Sequence, residues 1–454
     1  MITGIGTGNG VGLIRGGFPA TVAPPPPSDA FVFTINTEYA SVGDDFTITY
    51  AGTVDWEVDW GDGNTETISS NTTHSYASTG TYTVWVRPTS AATNANNWPT
   101  FFNTGYAGAG QITEITQWGD FIFKAGCFFT AYELVTISAP DVPTFNAGTM
   151  TNAFLNCYKL ESIANLNWDL SSNTTVQNFF YNCRAFDGVG LENMNVTGIT
   201  GMREMFFNCW ELGSPDLSSW DTSSVISYYQ MFQNCYKFNG DVTGFDVSGG
   251  VVDIAGMFRN CYVFNQDISG WDFTGSTFAS VAAMFSGCAA FNQDISGWVL
   301  PSTVTNYSNL FLNCTAFDQN LGSWDVSNAT NLLQTFYNCE GMSDWSWLTS
   351  WDISSVTSIQ GFVQNTSGFN EDLSAWNPAA CVNFQSAFAS TALDQTNTEA
   401  MCVSWEAKVP NRTFNTIPSG ACFGANTVTS GSAADTAVTS LRNNKGWQQV
   451  PIVV

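Results

Sequence analysis

Between Cys127 and Trp376 the apolar positions keep a long rhythm, neither helical nor simply alternating. In "MFRNCYVFNQDISGWD", Met257–Asp272, the residues Phe258, Cys261, Phe264, Ile268 and Trp271 are separated by two or three others. Variants recur, among them "MFQNCYKFNGDVTGFDVSGGV", "MFSGCAAFNQDISGWVLPSTV" and "LFLNCTAFDQNLGSWDVSNAT". The cysteines Cys157, Cys183, Cys209, Cys235, Cys261, Cys288, Cys314 and Cys339 stand 26, 26, 26, 26, 27, 26 and 25 residues apart. A period in the twenties marks a stack of repeats, each one turn that buries its apolar face only against its neighbours. Those five apolar residues are predicted to point inward. "D-I-S" reads as a minimal strand with Ile268 in and Asp267 and Ser269 out. "WD-x-S" reads as a turn in which Asp272 accepts a bond from the backbone two residues on. The "VAAMF" segment reads as a short helical or irregular return. The Asn ahead of most cysteines (Asn156, Asn182, Asn208, Asn234, Asn260, Asn313, Asn338) is expected to satisfy turn backbone groups, with Gly287 replacing it once.

The pattern changes on both flanks. From Phe31, "FVFTINTEY" and "DDFTITY" alternate apolar and polar residues, as half-buried strands do. "VDWGDG" is a strand end and tight turn, and "HSYASTGTYTVWV" a turn feeding a last strand. Residues 1–27 are Gly-rich and end in Pro24–Pro27, a stiff polyproline spacer with no core of its own. This segment lacks the basic and sustained apolar regions of a secretory signal. After Pro378 the period is lost. "NTEAMCVSWEAKVPN" and "SAADTAVTSLRNNKGW" have helical spacing, the second starting near Ser432 or Asp435, and residues 381–454 are predicted to cover the open end of the stack.

Composition narrows the function. Only 11% of the 454 residues are charged, and 12 Lys and Arg against 38 Asp and Glu give a net charge of −26. Such a field repels nucleic acid and anionic membrane, and no stretch approaches the roughly 18 apolar residues of a membrane span. Stacked cysteines point the same way from layers about 4.8 Å apart, whereas a disulfide needs facing Cβ atoms. The repeat cysteines are therefore read as a structural column of buried thiols. No two cysteines have close zinc spacing and His74 is the single histidine, which argues against a zinc site and against Cys–His catalysis. A disulfide among Cys381, Cys402 and Cys422 stays open.

Stacking turns repeated residues into columns. Asp216, Asp241, Asp267, Asp294 and Asp372 form one acidic column, interrupted by Asn320. Asp169, Asp221, Asp246, Asp272, Asp325 and Asp352 form a second. The second reads as turn capping. The first reads as capping or solvation, with weak Ca²⁺ or Mg²⁺ binding as its metal alternative, since hard cations take oxygen ligands. No cofactor is required. A glycosidase needs one singular carboxylate pair in unlike environments, so acids repeated in every turn are architecture and no enzyme is expected. Periodic tryptophans (Trp168, Trp220, Trp271, Trp298, Trp324, Trp351, Trp376) read as core. Trp345 and Trp347 lie in a turn two residues longer than its neighbours and are the candidate exposed ligand-binding aromatics.

Two resemblances follow. Trp60, Gly61, Asp62, Gly63, His74, Tyr76, Gly80, Tyr82 and Val84 match the W-x-F/W-G-D-G and H-x-Y-x-x-x-G-x-Y-x-V pattern of the polycystic-kidney-disease (PKD) type β-sandwich, a non-catalytic spacer or interaction module. The repeats resemble the BspA-like leucine-rich-repeat surface proteins, as does the order of parts over residues 30 to 450. The expected fold is mainly β: an N-terminal Gly/Pro-rich anchor and linker (1–27), a PKD-like sandwich (28–90), a leucine-rich-repeat-type solenoid of about 26-residue repeats (91–380) and a C-terminal cap (381–454). The expected function is a non-enzymatic structural or adhesion protein. It reads as a phage decoration or fibre protein on the virion surface, held to a capsid or tail protein through residues 1–27 and presenting the repeats to a host-surface glycan or protein. A bacterial cell-surface adhesin is the alternative. Homo-oligomerisation is compatible with both.

Overall fold

The computed structural model describes residues 24–39, 44–49, 55–89, 109–409, 423, 427–443 and 452–453. The molecule is mainly β. At the N-terminal end, β1 (Phe31–Asn36), β2 (Asp45–Ile48), β3 (Trp56–Asp59), β4 (Thr65–Ile68), β5 (Thr72–Ser75) and β6 (Thr81–Pro88) pair antiparallel: β1 with β6, β6 with β3, β3 with β4, and β2 with β5. Alternation places Phe31, Phe33, Ile35, Trp56, Val58, Val84 and Val86 inside. At the Trp60–Gly63 turn, His74 lies flat on Trp60 with ring centroids 4.8 Å apart, its Nε2 is 2.8 Å from Asp62, and Tyr76 donates to the Trp60 carbonyl. His74 is thus part of a packed turn.

The two regular parts share one sheet. β7 (Ile112–Gln117) pairs antiparallel with β1 and parallel with β9 (Thr136–Ile137), which pairs parallel with β12 (Ser162–Ile163), giving the order β12-β9-β7-β1-β6-β3-β4. Between these, β8 (Ile122–Phe123) pairs with β10 (Thr144–Phe145), and β11 (Gly148–Thr149) with β13 (Asn173–Thr175), all parallel. The first coils therefore continue the sheet of the N-terminal strands.

From there each repeat is one coil hydrogen-bonded to the next. Its regular part is the segment leading into the cysteine, where a short helical or irregular return was expected. Two residues per coil, four apart, have positive φ, as at Asn152 and Asn156, Asn178 and Asn182, Glu204 and Asn208, or Gln230 and Asn234. Alternate amides reach the next coil (Asn152 to Gln177, Phe154 to Phe179, Asn156 to Tyr181), while those between close three-residue turns (Leu155 to Asn152, Cys157 to Phe154). Parallel bridges mark the column Thr175–Gly201–Ser227–Asp253 and again Ser280–Asn306–Asn331–Ser358–Asn383.

The "D-I-S" strand expected in each repeat is a turn in most of them, with Asp216 and Asp241 keeping a lone parallel bridge. Ile268 is buried and Asp267 and Ser269 are exposed, but Asp267 accepts the Ser269 amide itself, which removes the donor a strand would need. The coil geometry also continues past 380, with Ser386 and Ser390 at the positive-φ positions and Asn383 bridged to Ser358. Residues filling that last coil, Ala387 and Phe388, are apolar without the Cys signature, which hid it in the sequence.

Helix Gln395–Lys408 then closes the stack. Asp394 caps its start by accepting the Asn397 amide. Trp405 donates to the Leu373 carbonyl, and Lys408 donates to the Ser374, Ala375 and Trp376 carbonyls, satisfying the exposed edge of the final coil. A second helix, Ala433–Asn443, packs beside it, with Ser432 accepting the Asp435 amide. No helix among the described residues is long and apolar enough to cross a membrane.

Candidate functional site

The inner columns come first, because they set what remains for the surface. Phe128, Phe154, Phe180, Phe206, Phe232, Phe258, Phe285, Phe311 and Phe336 stack at centroid spacings of 5.1–6.0 Å. The cysteines of the column, Cys157, Cys183, Cys209, Cys235, Cys261, Cys288, Cys314 and Cys339, are buried and reduced. Each thiol donates to a carbonyl of the preceding coil, as Cys183 does to Phe154 at 3.2 Å and Cys235 to Phe206 at 2.9 Å. Burial pushes the thiols of Cys183, Cys235, Cys261 and Cys314 well above the ordinary cysteine value, so they have no nucleophilic or ligating form near neutrality. Each tryptophan of the column from Trp220 on does the same job with its indole N–H: Trp271 to Val242, Trp298 to Ile268, Trp324 to Ile295. Cys381 and Cys402 are buried free thiols, and Cys422 lies outside the described residues.

The Asn ahead of each cysteine does something other than expected. It takes φ near +60°, and its side chain bonds to the same residue one coil away rather than to turn backbone. Asn182 donates to Asn156, Asn208 to Asn182, Asn234 to Asn208 and Asn260 to Asn234, at 2.6–2.7 Å. Asn338 donates to Asn313 further on. Between the two runs stands Gly287, at φ +80°, where a Cβ would collide with the Asn260 amide oxygen.

Both acidic columns are turn caps. Asp216 accepts the Ser218 amide and hydroxyl, Asp241 those of Thr243, Asp267 the Ser269 amide, Asp294 that of Ser296 and Asp372 that of Ser374. Hydroxyl and then amide bonds from those residues hold Asp216, Asp267 and Asp294 below the usual carboxylate range. A hard cation takes about six to eight oxygens. Among the described residues no three His, Cys, Asp or Glu side chains gather to hold one, and Asp216, Asp241, Asp267, Asp294 and Asp372 each cap a turn.

Trp345 and Trp347 are also corrected. They are 1% and 6% exposed. The lengthened turn holds a short 3₁₀ segment, Ser346–Ser350, which folds inward. Trp345 packs edge-on against Phe336 and Phe369, at 5.6 and 5.5 Å, in the space left where this coil has Met342 in place of Phe317 and Phe291.

A partly exposed aromatic stripe lies elsewhere, directly after the column cysteines and, in the first coil, after Ala131. Tyr132, Tyr158, Arg184, Trp210, Tyr236 and Tyr262 form one stripe over six coils, none of them buried. Tyr132 stacks on Tyr158 at 5.3 Å; Arg184 lies between Tyr158 and Trp210, 4.6 and 4.5 Å from their centroids; Trp210, Tyr236 and Tyr262 follow at 5.8 and 5.0 Å. The period placed these residues in register, but "Y/R/W after Cys" differs in type from coil to coil and so gave no column signal. Their faces are consumed by stacking, so the stripe offers ring edges, phenol hydroxyls and guanidinium N–H groups. Glu133–Lys159 and Glu211–Lys237 ion pairs flank it from coil to coil.

The chain matches a family model described as "Mycoplasma protein of unknown function, DUF285" three times, over residues 148–271, 248–348 and 345–415. No curated protein and no solved structure matches it. The matches tile the coils from Gly148 to the cap helix, more than half of the chain, and on that ground it belongs to the DUF285 family.

Proposed function

We propose that this chain is a non-catalytic, surface-displayed attachment protein. In this reading the coils are a leucine-rich-repeat-type solenoid, the N-terminal strands are a PKD-like spacer, and residues 1–27 dock into a capsid or tail protein of a phage particle. The observation that carries the reading is the stripe from Tyr132 to Tyr262. Tyr, Trp and Arg are the residue types that dominate binding hot spots. Here six of them run unbroken over consecutive coils of a chain in which only 11% of residues are charged. The rigid coil-to-coil bonding beneath holds them in fixed geometry at low entropic cost. A bacterial cell-surface location of the same attachment function is the second reading, supported by the resemblance of the repeats to BspA-like surface proteins.

The test is binding of the labelled full chain to intact host cells, compared with the triple variant Tyr158→Ser, Trp210→Ser, Tyr236→Ser. The reading expects saturable binding that falls roughly a hundredfold or more in the variant, as loss of hot-spot residues would give. Equal binding by both proteins, with unchanged circular dichroism, removes the stripe from the function.

A further inference from the structure

The basic residues of the coil stack are gathered in a few coils. Between Lys124 and Lys408 they are Lys159, Arg184, Arg203, Lys237 and Arg259, and the stretch from Asn260 to Ala407 holds no Lys, Arg or His. All of them stand in the segment that leads into a column cysteine or just leaves it, whereas the Asp-capped turns carry none. Most are answered by carboxylates: Lys159 by Glu133, Lys237 by Glu211, and Arg203 by Glu204 and Asp253 at 3.9 and 3.8 Å. Among the described residues Arg184 and Arg259 have no such partner. Arg259 is exposed to solvent, but Arg184 is half-buried inside the stripe.

Tyr158 from the coil before and Trp210 from the coil after cover the two faces of the Arg184 guanidinium, with ring centroids at 4.6 and 4.5 Å. Its Nε is buried without a hydrogen-bond partner. Its Nη groups keep contact with solvent and have no acceptor among the described residues. The stack itself does not call for this arrangement. Tyr or Trp fills the same position in the coils on either side, and a Tyr there would bring neither a charge nor a buried N–H. Arg203 is the contrast: it also lies on a ring, that of Tyr229 at 3.9 Å, but Glu204 and Asp253 stand beside its charge. The sandwich therefore holds the Arg184 guanidinium in one plane, shields its faces from water and leaves the Nη edge for a ligand. That edge is the fork that takes two oxygens of a carboxylate in a single plane.

We infer that the Nη edge of Arg184 binds the carboxylate of an acidic sugar, whose hydroxyls meet the phenol hydroxyls of the stripe and the flanking Glu133 and Glu211 carboxylates. The unanswered guanidinium selects a carboxylate. The ring faces are consumed by stacking, so the stripe offers no slot for the apolar side chains of a peptide, whereas its polar edges suit a polyhydroxylated ligand. The net charge of −26 disfavours a long polyanion, but charges farther away than about 8 Å are largely screened at physiological ionic strength, so one isolated carboxylate responds to Arg184 itself. The assignment rests on the attachment reading and names the ligand class of the same stripe.

Saturation-transfer NMR titrations of the full chain test it, with the methyl glycosides of glucuronic acid and N-acetylneuraminic acid, methyl glucoside and the peptide N-acetyl-Gly-Asp-Gly-amide as probes. The glucuronide and the glucoside differ only at the carboxylate. The expected result is that at least one acidic glycoside binds roughly tenfold or more tighter than the glucoside and the peptide, as a charge-assisted bidentate pair would give. Arg184→Tyr, which continues the ring stack, should abolish that preference, and Arg184→Lys, which keeps the charge without the fork, should weaken it. Arg203→Gln should leave it unchanged. Failure of both acidic glycosides to bind, equal binding of the glucoside, or a preference that survives Arg184→Tyr overturns the assignment, and a peptide that binds as tightly overturns the sugar as its ligand. Host-cell binding without the acidic-sugar preference defeats this assignment and leaves the attachment reading standing; the preference without cell binding does the reverse.

Discussion

At the scale of single residues, the cysteine and the Asn before it divide one task. The thiol fills the core and donates to the coil behind it, and the Asn holds a left-handed turn and ties its side chain to the coils on either side. Asn208 makes two such bonds and sits at φ +61°. Asn208→Ala should cost about 3–4 kcal/mol, combining two side-chain bonds of about 1 kcal/mol each with about 1–2 kcal/mol for Ala in the left-handed region. Asn208→Gly keeps the backbone and should cost about half as much. Denaturant unfolding of the two variants checks the order, and an equal loss in both would discount the backbone contribution. The thiols give a second prediction. Ellman's reagent at pH 8 should find none of the column cysteines in the folded chain and all of them after unfolding, because burial keeps thiols such as Cys235 and Cys261 protonated. The buried thiol column was legible from spacing alone, because a 26-residue period leaves identical side chains parallel. The Asn ladder was not, because its positive φ comes from the alternation of inter-coil and turn bonds, which no single repeat displays.

Secondary elements carry less of this fold than the joins between them. The cap helix replaces a missing coil: Trp405 continues the tryptophan column by donating to Leu373, and Lys408 gathers three terminal carbonyls. Trp405→Ala should cost about 3–5 kcal/mol. The loss should be local, with hydrogen-exchange protection falling first in the coils from about 345 to 405 while the strands near Phe31 stay protected, as nearest-neighbour stacks predict. Uniform loss of protection along the chain would show a single cooperative unit. The helices at the C-terminus and the strands at the N-terminus were legible from periodicity. The location of the hydrogen-bonded ladder was not, because "D-I-S" has strand composition while its Asp captures the amide that pairing would use. Trp345 and Trp347 misled for a related reason: an insertion reads as surface, but here it fills a core position that Met342 leaves short.

Over the whole molecule, repeated turn caps make stability respond to acid in one direction. Bonds from hydroxyls and amides hold Asp169, Asp267, Asp272, Asp294 and Asp325 below the usual carboxylate range in the folded chain. A lowered folded pKa contributes stability that is present above the unfolded value, about 3.9, and is lost as pH falls through the folded one. Asp253 runs the other way, raised by burial and only partly offset by the Ala255 amide and Arg203. Since the lowered group is larger, thermal stability should hold from neutral pH to about 5 and fall below about 4; a rise on acidification to pH 3 would show that relief of the −26 net charge dominates instead. The same continuity that shares stress between coils, one sheet from the N-terminal strands into the first repeats and one ring column beyond, presents the stripe as a fixed surface. The measurement that tests this account most directly is fractionation of producing cells and released particles, followed by quantitative mass spectrometry of this chain and of a version lacking residues 1–27. Recovery of the full chain with intact particles, and its release by the truncation, is the predicted result. Recovery of both versions in the cytosolic fraction alone would contradict it.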